Sequence, residues 1–191
     1  MPKLLSLDDI PLSSLRTAQC YDLLRQIVEG FSFLHGHGVA HMDLKSANIA
    51  TDTSLGQWYI IDFGLAYKVN GLDDTVVSRF RGTEQWVAPE IEDDGYVYSA
   101  IRADLWAVGE LTRTVLVLWH KGRTPNNGLE EVSTQLLSTD PLKRPMLIDI
   151  LSQFDFSDRE RVSSHMPPLF QPDLCDNRLL VPGGCKLRES A

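Results

Sequence analysis

Cysteine, long apolar runs and positive charge are all in short supply in this sequence, and each shortage removes a class of function. Cys20, Cys175 and Cys185 lie scattered through 191 residues, without a CxxC pair or histidines at ligand spacing. They read as free thiols of a reducing compartment, which excludes a disulfide framework and a structural zinc site. The most apolar piece, residues 114–119, falls far short of the ~20 residues that span a bilayer. Lys3 is soon followed by Asp8 and Asp9, a poor start for a secretion signal. These absences predict an intracellular protein, cytoplasmic or nuclear, that engages no membrane. With 18 Lys and Arg against 26 Asp and Glu, the net charge of −8 argues against a broad basic face for nucleic acid.

What is present suits one globular domain: 43% apolar and 23% charged residues, on a chain long enough for a single well-filled core. Over residues 13–34 the apolar positions Leu15, Cys20, Leu23, Leu24, Ile27, Val28, Phe31 and Leu34 follow a helical period, ending at the stop Gly36-His37-Gly38. Residues 48–50 and 58–61 flank a polar turn and predict a small hairpin that presents Asn48 and Asp62 near one another. Residues 65–87 lack periodicity and read as a long, functional loop. Residues 104–119 are apolar on nearly every side, the mark of a helix buried at a domain centre. Shorter helices are expected over 130–137 and 145–154. Beyond about 155 the chain turns polar and proline-bearing (Pro167, Pro168, Pro172, Pro182), as a weakly ordered tail would. The expected division is an N-terminal remnant over 1–12, the domain over 13–155 and the tail over 156–191.

The stretch His41-Met42-Asp43-Leu44-Lys45-Ser46-Ala47-Asn48, with Asp62-Phe63-Gly64 after a short apolar run, sets an acid, a lysine, an amide and a second acid at the spacing of a phosphoryl-transfer site. Downstream come Gly82-Thr83, Ala88-Pro89-Glu90, the D-x-W-x-x-G of Asp104, Trp106 and Gly109, and Asp140 with Arg144-Pro145. In this order the motifs resemble the C-terminal lobe of a eukaryotic protein kinase over residues 13–155, with H-M-D in place of H-R-D. Aminoglycoside- and choline-kinase-like phosphotransferases share the histidine, aspartate and asparagine spacing, but not A-P-E, D-x-W-x-x-G or the late Arg-Pro. The resemblance implies a mainly helical large lobe (α+β overall) with one or two small hairpins. It also implies ATP and Mg²⁺ as cofactors and a protein substrate; Lys45 points to the serine/threonine type.

On that resemblance, Asp43 orients or accepts the proton of the attacking hydroxyl, and Lys45 sets positive charge beside the transferred phosphoryl group of ATP. Asn48 and Asp62 are oxygen ligands suited to Mg²⁺. Thr83 hydrogen-bonds Asp43 and Lys45, Glu90 pairs with Arg144, and Asp104 braces the catalytic loop, with a helix N-cap as its simplest local role. His41 and Phe63 are expected to pack. Met42 cannot read a phosphate as arginine does, so phosphorylation at Thr75 or Ser78 is not expected to switch activity.

A kinase also needs a glycine-rich loop over the phosphates, a strand lysine and a helix glutamate. Gly36-His37-Gly38 ends a helix, Gly183-Gly184 has neither strand before it nor helix after it, and Lys3 lacks strand context. The expectation is therefore a chain without the small lobe. It would be either a piece of a longer kinase or a pseudokinase-like relative that binds without catalysing, with an apolar surface facing the missing lobe that recruits a protein partner. The stretch after Trp119 is short for the family, where a further docking helix is usual.

Overall fold

The computed structural model describes residues 4–52, 56–72, 74–77, 82–91, 97–119 and 127–153. The expected tail, Ser78 and the short stretch 120–126 lie outside the described residues.

Helix α1 (Thr17–Gly36) buries the stripe Cys20, Leu23, Leu24, Ile27, Val28, Phe31 and His35. It begins later than the apolar period suggests. The Leu15 carbonyl accepts the Trp119 indole N–H at 3.1 Å, and Gln19 Oε1 accepts the Arg16 N–H at 3.0 Å. Leu15 is thus pinned to the far end of another helix instead of joining this one. The helix stops before Gly38, whose φ of +69° suits glycine. A Cβ there would stand 2.5 Å from the Val69 carbonyl oxygen, in the bridge that pairs β2 (Val39–Ala40) with β5 (Tyr67–Lys68).

Helix α2 (Ala100–Trp119) crosses the centre and buries thirteen of its residues, Leu105, Leu111 and Val115 among them, while Arg113, Val117 and Leu118 face solvent. Burying a side chain of that size contributes about 1.5–3 kcal/mol. The helix starts four residues ahead of Asp104, and Ser99 Oγ accepts the Arg102 N–H at 3.3 Å, as a cap does. The N-cap role expected of Asp104 therefore falls to Ser99. Helices α3 (Asn127–Leu136) and α4 (Leu147–Gln153) complete the helical layer.

Among the described residues, three small antiparallel sheets hold the loops. The expected hairpin is β3 (Ile49–Asp52) against β4 (Gln57–Ile60), with Ile49 opposite Ile60. Strand β1 (Leu5–Ser6) adds to the other edge of β3, and Leu7 and Leu12 enter the core. Residues 5–12 are thus built into the domain instead of standing ahead of it. The expected loop over 65–87 contains β5 and also β6 (Thr75–Val77), which pairs with β7 (Val97–Ser99). Among the described residues, no helix is long and apolar enough to cross a membrane.

Among the described residues, the apolar interior has two clusters. The larger joins α1, α2, α3 and α4 with Leu44 and Ile49. The smaller surrounds Met42 with Ala40, Val69, Ile91, Tyr98 and Ile101, so it ties the 41–48 loop to the segments on either side.

Candidate active site

The loop between β2 and β3 carries Asp43, Lys45 and Asn48, and a closed set of hydrogen bonds draws them onto Thr83. Lys45 Nζ donates to Asp43 Oδ2 and to Thr83 Oγ1, both at 2.9 Å. Thr83 Oγ1 in turn donates to Asp43 Oδ1 at 2.8 Å. Asn48 Nδ2 donates to the Asp43 carbonyl at 2.8 Å and to Asp43 Oδ2 at 3.2 Å. Asp43 and Lys45 keep 10% and 25% of their side-chain surface exposed, so the cluster is half sunk yet reachable. Thr83 is delivered by Gly82 at φ +111°, where a Cβ would stand 3.2 Å from the Met42 carbonyl oxygen and 2.7 Å from Val87 Cγ1. Glycine lets the segment lie against the 41–48 loop.

Beneath this cluster, Asp104 is 1% exposed at its side chain. Its Oδ2 accepts the His41 N–H at 2.6 Å, and its Oδ1 the Met42 N–H at 2.8 Å. Met42 has φ +66°, a left-handed conformation that a bulky residue keeps only when its surroundings enforce it. Two backbone N–H groups clamped on one carboxylate supply that enforcement. His35 was missed in the sequence: its Nε2 lies 3.1 Å from Asp104 Oδ2, and both side chains are nearly fully buried. A histidine on the apolar stripe of α1, one turn after Phe31, is the signal that marks it.

His41 is fully buried between the rings of Phe31 and Phe63, at 5.7 and 4.9 Å. The Asp43 N–H donates to its Nδ1 at 3.3 Å, so the proton belongs on Nε2, 3.1 Å from the Ile61 carbonyl oxygen. Phe63 packs only one side; it is 39% exposed. Glu90 and Arg144 form a two-pronged ion pair at 2.6 and 2.8 Å, with Arg144 also lying over the Trp106 ring.

Asp62 stands apart. The Ile61 N–H donates to the Asn48 carbonyl at 2.9 Å, which brings Asp62 to the same end of the hairpin. The Asp62 side chain is exposed, however, and its Oδ1 accepts the Gly64 N–H at 3.2 Å. Its φ is +62°. Asn48 uses its amide nitrogen on Asp43, which leaves the amide oxygen for a cation; with Asp62 this makes a hard-oxygen donor set that fits Mg²⁺. Among the described residues, no three His, Cys, Asp or Glu side chains converge on a metal position. An ion held here would draw its other ligands from nucleotide phosphates and water.

Fold and site together are those of a protein-kinase-like domain. A family model described as "Protein kinase domain" matches residues 6–178, and the chain belongs to the eukaryotic serine/threonine protein kinase family. It is 41% identical over 96 residues to "Serine/threonine-protein kinase 17A" of Oryctolagus cuniculus, covering 49% of this chain and 23% of that protein. It is 35% identical over 117 residues to "Serine/threonine-protein kinase ppk11" of Schizosaccharomyces pombe, covering 61% of this chain and 35% of that protein. Over 154 residues, 80% of the chain, it is 29% identical to "Mitogen-activated protein kinase kinase kinase nsy-1" of Caenorhabditis elegans, covering 9% of that protein. The chain thus spans a minor share of the length of each of these relatives.

Proposed function

We propose that this chain takes part in ATP-dependent phosphoryl transfer to a serine or threonine hydroxyl of a protein substrate. The observation that supports this reading most is the closed set of bonds among Asp43, Lys45 and Thr83. Asp43 orients the acceptor hydroxyl and takes its proton, and Lys45 lays positive charge where negative charge develops on the phosphoryl group. Thr83 holds both in register. Asn48 and Asp62 hold Mg²⁺, which when bound with ATP offsets phosphate charge. A glycine-rich loop, strand lysine and helix glutamate find no match in the 191 residues. These residues alone therefore hold nucleotide in a half-pocket, and turnover by them alone is slow.

Calorimetry of ATP binding with and without Mg²⁺ tests the reading. Saturable, Mg²⁺-dependent binding that disappears in Asp62→Ala is the expected result. Binding that ignores both Mg²⁺ and Asp62 overturns it.

A second reading, a non-catalytic pseudokinase-like module, draws on one observation. Tyr59, Ile61, Phe63 and Leu65 leave a run of exposed apolar side chains around Asp62. Such a run suits a protein partner that covers the site. Absence of any ATP binding, with these side chains shielded on adding a partner, favours this second role.

A further inference from the structure

Asn48 stands just ahead of β3 and Asp62 just behind β4, and α1 holds this hairpin through a side chain that belongs to none of the motifs. Gln26 Oε1 accepts the Trp58 N–H at 2.9 Å, and Gln26 Nε2 donates to the Gly56 carbonyl at 3.2 Å. A donor for the residue before Gln57 and an acceptor for the residue after it are what a parallel neighbouring strand would supply. One side-chain amide thus stands in for a strand on the outer edge of β4, where backbone groups would otherwise go unpaired. The Nε2 group also donates to Asp22 Oδ2 at 2.7 Å, and Asp22 is fixed in turn by Arg25 Nη2 on its Oδ1 at 2.7 Å. Turned over, the amide would set oxygen against two acceptors and nitrogen against a donor, so its orientation is determined. One turn further along α1, a Cβ on Gly30 would stand 2.7 Å from Ile60 Cδ1, so glycine there lets the end of β4 lie close to the helix. Gln26 and Gly30 share one face of α1 and seat the two ends of the strand. The pairs Asp52–Gln57 and Ile49–Ile60, with the Thr51 hydroxyl on the Gln57 carbonyl at 2.7 Å, tie β4 to β3 along its length.

We infer that Gln26 is a positioning residue for the Asp62 side of the site: by seating β4 on α1 it sets where Asp62 stands against Asn48, and so how tightly Mg²⁺ with ATP is held. The inference rests on the proposed role of Asn48 and Asp62 as Mg²⁺ ligands. The Asp62 side chain is exposed and accepts a bond only from its own turn, so its place comes through the backbone that β4 delivers. That backbone is held at Ile61, whose N–H donates to the Asn48 carbonyl at 2.9 Å and whose carbonyl oxygen lies 3.1 Å from His41 Nε2. A strand loosened at Gly56 and Trp58 feeds Asp62 into the site less exactly. Gln26 touches neither metal nor nucleotide and acts only through the strand.

Two measurements on the full 191-residue chain test this: calorimetry of Mg²⁺-dependent ATP binding, and hydrogen–deuterium exchange over residues 57–60 without nucleotide. Gln26→Leu keeps the bulk of the side chain and removes the amide. It is expected to weaken Mg²⁺-dependent ATP binding about tenfold, the low end of what losing an outer partner of a metal ligand costs, and to speed exchange over 57–60. Gln26→Glu keeps the acceptor for Trp58 and gives up the donor for Gly56, so it should fall between Gln26→Leu and the unaltered chain on both readouts. Ser133→Ala is the control, because the bond it loses, Ser133 Oγ to the Gly109 carbonyl at 3.2 Å, lies between α3 and α2. It should lower Tm and leave both readouts unchanged. Faster exchange in Gln26→Leu with unaltered ATP binding, or equal weakening of ATP binding by Ser133→Ala, overturns the inference, since Gln26 then serves only stability. ATP binding that needs Mg²⁺ and Asp62 yet ignores Gln26 overturns the inference alone. No Mg²⁺-dependent ATP binding by the unaltered chain overturns the reading of the site, and the metal role of Gln26 with it, whatever the exchange shows.

Discussion

Asp43 and Asp62 flank the same open end of one hairpin and are held in opposite ways. The Asp43 carboxylate receives Lys45, Asn48 and Thr83, and its loop is clamped from below by Asp104. The Asp62 side chain is exposed and accepts one long bond from its own turn. The Asp43 side is thus built by the fold itself, through residues from the 41–48 loop, the later segment and α2. The Asp62 side, proposed to hold the metal, is positioned by backbone, through the Ile61 N–H on the Asn48 carbonyl. A preorganised half and a compliant half respond differently to substitution.

The largest expected effect lies behind the preorganised half. Arg144→Ala leaves Glu90 without its partner and strips the Ser138 and Arg102 carbonyls of a donor. Urea unfolding should show a loss of about 3–5 kcal/mol. Gly82→Ala comes next: the φ of +111° and the close Met42 carbonyl should cost about 1–3 kcal/mol and shift the Thr83 amide resonance. An unchanged Thr83 resonance would mean that the segment is not pressed against the catalytic loop. Thr83→Val removes one hydroxyl from the closed set, with an expected loss of about 1 kcal/mol and sharply reduced phosphoryl transfer. Asp62→Asn should move stability by less than about 0.5 kcal/mol while abolishing Mg²⁺-dependent ATP binding. A stability loss as large as that of Thr83→Val would erase the contrast between the halves. Smallest of all, Thr75→Ala with Ser78→Ala should leave activity unaltered, because Met42 is buried among apolar neighbours and offers no cation to a phosphate.

The sequence was most legible where periodicity is long or where a motif carries chemistry. The buried stripe of α1 and the all-round apolar α2 needed only the 3.6 period. The residues that meet around Asp43 are named by their spacing, although Thr83 comes from far along the chain. Two- and three-residue strands such as β2, β5 and β6 leave no period to read, since their pairing is set by distant partners. The start of α1 was misplaced because a carbonyl taken by Trp119 is a tertiary event invisible to local pattern. Asp104 looked like a cap because it opens the all-round apolar stretch, whereas the true first turn, Ala100-Ile101-Arg102, lies ahead of it behind the Ser99 cap. His35 lies outside the motifs, and its role depends on a residue of another helix.

Hydrogen–deuterium exchange, read with and without Mg²⁺ and ATP, tests the asymmetry most directly. Residues 41–48 should be protected from the outset and change little, whereas residues 61–66 should exchange quickly alone and become protected only when both are present. Equal exchange of the two segments in the free protein, or protection gained at 41–48 and not at 61–66, would contradict the account.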